Sequence, residues 1–451
     1  MSINPADSEI FGALWGTPEM RALFSDPARF QLMLDVEAAL ARAEAKLGLV
    51  PQAAADAVAR AARFENLHPG AIAEDVRKAG QPVAALVAEL GRITGGDAAR
   101  HIHLGATTQD IVDTALVLQM RRGFEYVRRD LVALARALAE RAARYRDTPI
   151  AGRTHLQHAV PISFGYKCAV WAAPLAAHLE RLDQAARRVL VVQFGGAAGT
   201  LATLGARGAA VAQALADELG LGVPDLPWHV ARDTTAEAAA LLGLICGSLA
   251  KFALDVALLM QSEVAEVFEP HEPGRGGSST MPQKRNPVAA EYILAAAREV
   301  HAQVGVMMSA MAQDHERATG PWQSEALALP QCFVLTSGAL AHGRAIAEGM
   351  SVDTERMRRN LGLSAGLIMA EAVAAGLTPA MGRAAAHHVL QRASERALGE
   401  GRSLSEVLRD DPEVRKHLGA EQIDRLMDPA GYLGSAGVFV DRVVARIARL
   451  A

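Results

Sequence analysis

Residues 234–269 contain no proline, and an apolar stripe stands at Leu242, Ile245, Leu249, Phe252, Val256 and Leu259. Those positions alternate by three and four, the seam of one long helix packed in a bundle. Thr234, with Glu237 three residues on, reads as a capping box at its start, and Pro270 marks its end. At 1.5 Å per residue the helix is about 50 Å long. Residues 288–318, 113–145 and 162–192 have the same character, and residues 27–49 carry a shorter stripe at Phe30, Met33, Leu34, Ala38, Leu40 and Ala41, stopped by Gly48 and Pro51.

The expected fold is therefore all-α: a central bundle of long helices with smaller helical N- and C-terminal domains. A chain of 451 residues is too long for one compact core. Boundaries are placed near 112 and 355, giving an N-terminal helical domain over 1–112, the long-helix bundle over 113–355 and a C-terminal helical domain over 356–451. Strand-like alternation is almost absent, and no βαβ rhythm is visible. The cluster Gly195-Gly196-Ala-Ala-Gly199 lacks the spacing and the preceding strand of a dinucleotide loop, so it reads as a tight turn between helices.

Composition narrows the function classes. Apolar residues are 51% and charged residues 21%, ordinary globular usage, while a 4% aromatic share with abundant alanine favours closely packed helices. A formal net charge of −4, with both signs interspersed, supplies no field to hold a nucleic-acid backbone. Cys168, Cys246 and Cys332 lie far apart with no CxxC pair, which points to reducing cytosol and away from disulfides or a zinc cage. The acidic start of the chain is unlike a secretory signal, and no uninterrupted apolar run reaches bilayer length. His101-x-His103 and His155-x-x-His158 have the spacing of metal ligands, but no HExxH, acidic triad or thiolate accompanies them, so no metal is expected. His387-His388 reads as surface.

One segment stands apart between the two longest helical runs, Gly274-Arg-Gly-Gly-Ser-Ser-Thr-Met-Pro-Gln-Lys-Arg-Asn-Pro287. Three glycines and two prolines exclude a continuous helix. Such a loop turns backbone N–H groups inward and sets hydroxyls, an amide and an ammonium around an anion. A polar connector would account for the glycines but not for Ser-Ser-Thr-Met-Pro-x-Lys-x-Asn.

That loop resembles the signature of the fumarase/aspartase superfamily. Two further segments follow the family's order: His103-Leu-Gly-Ala-Thr-Thr-Gln-Asp110 and Gly152-Arg-Thr-His-Leu-Gln-His-Ala-Val-Pro161. The resemblance covers most of the chain. It implies the family's helical fold, and chemistry in which a proton is taken from, or given to, the carbon beside a substrate carboxylate. Removing that proton places a second negative charge on the group, so preorganised donors must stabilise an aci-carboxylate. By the same resemblance Ser278 is the general base, Lys284 and Asn286 hold the aci-carboxylate, and Thr107 and Thr108 hold a second carboxylate. His155 binds substrate or protonates the leaving group. His103, Gln157 and His158, at motif positions, are expected to line the substrate, as is Gln109, which with Asp110 also sets the loop. Asp110 is either a cap before Ile111 or a catalytic group. Arg317, closing the run 288–318, is a candidate bidentate partner for a carboxylate, with a helix-end contact or a surface salt bridge as the alternatives.

Within the superfamily, the run from Trp15 to Asp26 looks like the adenylosuccinate lyase side. Leu14-Trp15 and Gly80-Gln81 stand where that enzyme has an Arg-Tyr pair and a His-Asp pair, which argues against a nucleotide substrate. The segments Ala79-Gly-Gln-Pro82, Gln193-Phe-Gly-Gly-Ala-Ala-Gly199, Glu266-Val-Phe-Glu-Pro270, His315-Glu-Arg317 and Asp428-Pro-Ala-Gly-Tyr-Leu-Gly434 are similar to the 3-carboxy-cis,cis-muconate cycloisomerase branch. That likeness implies lactonisation of 3-carboxymuconate, a step of aromatic catabolism in the β-ketoadipate pathway. His155 departs from the branch, which often carries a bulky non-histidine residue there, and the stretch after Gly320 lacks a second tryptophan. A lyase that releases fumarate from a succinyl adduct therefore stays open. Either way the resemblance implies a small polycarboxylate substrate and a homotetramer, while the missing ligand clusters and nucleotide folds, the charge and apolar patterns and the cysteines point to no cofactor, no nucleic-acid or membrane partner, and the cytoplasm. The regions around Thr107, His155 and Ser278 would then come from three chains.

Overall fold

The computed structural model describes residues 3–270, 277, 281 and 283–450. Ser278 lies outside the described residues. Seventeen α-helices and two two-stranded sheets are present among the described residues, so the chain is all-α in class. The longest helices are Thr108–Arg144, Phe164–Val189, Asp233–Leu259, Val288–Ser309 and Pro321–Gly349.

The predicted seam is buried, with Leu242, Ile245, Leu249, Phe252, Val256 and Leu259 each at most 4% exposed. The helix that carries it is shorter than the proline-free run allows. It stops at Leu259, the N–H of Glu266 returns to the Leu259 carbonyl at 3.0 Å, and Ala265 takes a left-handed φ of 53°. Absence of proline permits a helix to continue but does not require it. Val267–Phe268 then pairs antiparallel with Ser351–Val352. The run from 288 likewise ends at Ser309, leaving Arg317 beyond any helix.

By length and composition alone, Asp233–Leu259 could cross a bilayer, although its apolar run is not uninterrupted. Lys251 and Asp255 were the interruption, but they sit four apart and pair at 2.6 Å. Half of the apolar window is buried within the protein, as in a core helix.

A second correction concerns strands. Pro149–Thr154 and Gln157–Ser163 form an antiparallel hairpin with a register shift between Ala151 and Arg153. The shift breaks period-two alternation, which is why the sequence pattern hides it.

The chain divides into two compact units. Met1–Asp130, His178–Leu249 and Tyr292–Ala341 make one; Leu131–Ala177, Ala250–Glu291 and His342–Ala451 make the other. In the first, Asp26–Lys46 starts on a Ser25 cap and packs Met33, Leu34 and Val36 with Val58, Leu86 and Leu90 of neighbouring helices. In the second, Val373, Leu377, Val389, Leu390, Leu404 and Val407 form a separate core under the C-terminal helices. Burying each such aliphatic side chain stabilises its unit by roughly 2 kcal/mol.

Candidate active site

In the first unit the site is built around the start of helix Thr108–Arg144. Its first turn is closed reciprocally: Thr107 N–H donates to Asp110 Oδ2 at 2.9 Å, and Asp110 N–H donates to the Thr107 carbonyl at 3.0 Å. The same carboxylate, 1% exposed, also accepts from Gly195 N–H and Gly196 N–H, each at 2.9 Å, and lies 2.7 Å from His229 Nε2. Asp110 thus lies inside the first turn, not as a cap before Ile111, and anchors the Thr107 loop to the glycine cluster. The cluster lies in an irregular loop between Phe164–Val189 and Ala202–Arg207, longer than the tight turn its sequence suggests. A Cβ on Gly195 would come within 2.7 Å of Pro227, and Gly196 has φ 68°.

Gln109, 2% exposed, donates to Asp113 Oδ2 at 3.1 Å and to the His229 carbonyl at 2.9 Å, and accepts from Arg317 Nη1 at 2.9 Å. Arg317 Nη2 donates to the carbonyls of Ala197 at 2.7 Å and Gly196 at 3.3 Å. Neither alternative of a helix-end contact nor of a surface salt bridge describes Arg317, and its two terminal nitrogens meet neutral acceptors. With Gln109 it fastens the glycine loop to the helix start. Thr107 and Thr108 stand half-buried beside them.

Beneath this turn lies a buried ion cluster that sequence reasoning missed. Arg232, 1% exposed at its side chain, reaches Asp113 Oδ2 and Glu325 Oε2, both at 2.6 Å, and lies 4.8 Å over the Trp228 ring. Trp322 Nε1 donates to Asp113 Oδ1 at 2.9 Å. A cleft of about 400 Å³ opens on this cluster, walled by Gly80, Gln81, Pro82, Leu116 and Trp322 among others. It brings the Gly80-Gln81 and Pro321-Trp322 segments to one place.

His103 lies on the same loop with a left-handed φ of 63°. Its Nδ1 is 2.6 Å from Glu37 Oε1, and the Glu37 side chain is fully buried. Burial disfavours the charged ring, but the Glu37 bond and charge outweigh it and hold the His103 pKa above the ordinary value. Glu37 is invisible to motif reading because it sits within an ordinary apolar helical stripe.

In the second unit, His155 and Leu156 are the two turn residues of the hairpin, with φ 50° and 63°. Two consecutive left-handed residues are what a two-residue hairpin turn demands. His155 and Gln157 are exposed at its tip, and His158 is half-buried one step down, opposite Arg153. Burial and then the Arg153 charge lower the His158 pKa. Arg153 is itself clamped by Glu266 at 2.8 and 2.9 Å, and Asn360 Nδ2 donates to Glu266 Oε1 at 2.8 Å.

The signature loop is pinned where it is described. Gly277 and Arg285 form an antiparallel bridge, Arg285 Nη2 donates to the Glu269 carbonyl at 2.8 Å, and its guanidinium lies 4.8 Å over the Phe268 ring. The Glu269 carboxylate accepts from Ala289 and Ala290 N–H at 3.0 and 2.8 Å, capping the next helix. Lys284 is exposed and Asn286 half-buried. Among the described residues the Lys284 ammonium has no hydrogen-bond or ion-pair partner, which suits a group kept for an anion.

Among the described residues no group of three or more histidine, cysteine or acidic side chains is arranged to hold a metal. The cysteines are buried and free, and burial pushes the Cys246 thiol up to about 12, the state of an inert packing residue.

A lyase family model matches residues 15–302, and a model of the adenylosuccinate lyase C-terminus matches residues 366–443. The chain is 49% identical to a 3-carboxy-cis,cis-muconate cycloisomerase of Pseudomonas aeruginosa, over 99% of this chain and 97% of that protein. It superposes on the crystal structure of the 3-carboxy-cis,cis-muconate lactonizing enzyme of Pseudomonas putida with a TM-score of 0.94 and 48% identity, covering 98% of this chain and 100% of that one. It is also 42% identical to a nitrosuccinate lyase of Streptomyces davaonensis, over 95% of this chain and 92% of that protein.

Proposed function

The chain belongs to the fumarase/aspartase superfamily and is an enzyme of it, and from that premise we propose that it is a 3-carboxy-cis,cis-muconate cycloisomerase. The observation that carries this reading is the near-full-length likeness to proteins bearing that activity. The cleft supports it, because Gly80 and Gln81 wall it where the resemblance puts the His-Asp pair of a nucleotide enzyme.

In the proposed reaction a substrate carboxylate oxygen adds to one carbon of a conjugated double bond. The electron pair moves to the neighbouring carbon and into its carboxyl group, giving the aci-carboxylate. Lys284 and Asn286 stabilise that charge, Thr107 and Thr108 hold a second carboxylate, and the Ser278 hydroxyl delivers the proton that completes the lactone. Gln109 and Arg317 hold the loop on which Thr107 stands, while His103, His155, Gln157 and His158 line the substrate. The place of this step is the cytoplasmic breakdown of aromatic acids, after ring cleavage has produced a tricarboxylate.

The active assembly is a homotetramer in which three chains supply each site. Exposed apolar side chains on the long helices support this, among them Leu244 at 54%, Leu254 at 47% and Met308 at 47%.

One observation keeps a second reading in view. His155 stands exposed at a hairpin tip, where an imidazole could protonate a departing amine or oxygen. Purified enzyme offered 3-carboxymuconate should consume the diene absorbance and form the lactone. Fumarate released from a succinyl-amine or nitrosuccinate panel, with the muconate untouched, would replace the first reading by the second.

A further inference from the structure

Glu37 has no part in the reaction as described, yet it is buried and ends on a ring that does. It projects from helix Asp26–Lys46, and its Oε1 lies 2.6 Å from His103 Nδ1. Two helical turns further on, Glu44 is fully buried, and among the described residues neither of its carboxyl oxygens has a hydrogen-bond partner. Burial and then the Glu37 charge push the Glu44 carboxyl up to about 8. At neutral pH Glu44 therefore favours its protonated form, and the described polar contact of Glu37 is the one to His103.

We propose that Glu37 is a positioning residue that accepts His103 Nδ1–H and favours the protonated ring, so that Nε2–H is the ring donor left for the anionic substrate. The assignment rests on the proposed reaction. Its physical basis is general: a carboxylate on one imidazole nitrogen fixes the tautomer, the orientation and the charge of the other. The groups that act on His103 are Glu37 from the N-terminal helix and Asp110 from the start of the next long helix, both acidic. His103 holds a left-handed backbone, and its side chain is 21% exposed, enough for one ring edge to meet a ligand. A ring that favours its charged form there suits a substrate of several carboxylates.

The test reads His103 directly. Hydrogen–deuterium exchange at the imidazole Cε1 position, resolved by peptide mass spectrometry across pH, gives the His103 pKa in the intact ligand-free enzyme. Wild type should titrate above an ordinary histidine. Glu37→Gln should lower the midpoint by about one pH unit, a tenfold change. The alkaline limb of kcat/KM for 3-carboxymuconate should move to lower pH in step, chiefly through KM, and Glu37→Asp should recover part of both. An unshifted His103 in a folded Glu37→Gln protein overturns the proposal. If that variant does not fold, a wild-type His103 titrating at or below the ordinary value overturns it. A shifted His103 in an enzyme that leaves 3-carboxymuconate untouched leaves the dyad standing and removes the proposed substrate.

Discussion

Asp110 offers one carboxylate to Thr107, Gly195, Gly196 and His229 at once. Asp110→Asn keeps the shape but turns one acceptor into a donor facing N–H groups. Stability should fall by about 2–4 kcal/mol, read as a lowered denaturation midpoint in urea, with turnover lost in proportion as the Thr107 loop loosens. A variant with unchanged stability would show that the four bonds carry no net weight. Glu44 makes the opposite case, a buried acid that costs stability when charged. Its folded pKa is raised from 4.5 to about 8, so between those values the native state holds a proton that the unfolded chain has released. Stability therefore falls as pH rises through that window, by up to about 1.4 kcal/mol per pH unit. Glu44→Gln should flatten the decline of melting temperature between pH 5 and pH 8, and parallel curves for the two proteins would exclude the assignment.

At the scale of elements, the hairpin Pro149–Thr154 with Gln157–Ser163 sets a histidine in a left-handed turn. A branched or bulky residue there stores strain of roughly 1–2 kcal/mol that glycine does not. His155→Gly should melt at or slightly above wild type while turnover drops at least tenfold. Loss of both stability and turnover would mean that the imidazole holds the hairpin rather than serving the substrate. The hairpin was not legible because a register shift and Pro161 spoil its alternation. The helix start at Thr108, by contrast, was close to legible: Asp110 before Ile111 is a capping residue type, and the cap lies one turn earlier than the apolar run suggests.

For the whole molecule, the long helices leave Leu244, Leu254, Met308 and Leu327 exposed, and other chains would cover them in the proposed tetramer. If three chains build each site, Ser278→Ala and His155→Asn carry lesions on different contributions to it. Asparagine is chosen because it tolerates the left-handed turn. Each variant alone should be inactive, and refolding the two together should return roughly a quarter of wild-type activity under random mixing. Hybrid tetramers confirmed by mass spectrometry that stay inactive would place Ser278 and His155 in one chain's contribution.

The amino-acid sequence by itself determined the helical class, through apolar residues spaced by three and four, and the chemical class, through side chains whose order along the chain is local. Thr107, His155 and Lys284 could be named as candidates because each lies in a short segment that resembles a family motif. The partners that hold such groups could not. Glu37 meets His103 across 66 residues, Arg232 meets Asp113 across 119, and Arg317 meets Gln109 across 208. Nothing in a buried glutamate's or arginine's immediate neighbours says which distant charge it will face, because burial and pairing are properties of the packed chain. The end of the Asp233 helix and the turn at His155 belong to the same class of fact. Both depend on which strands pair, and pairing was decided by contacts that only the folded protein makes.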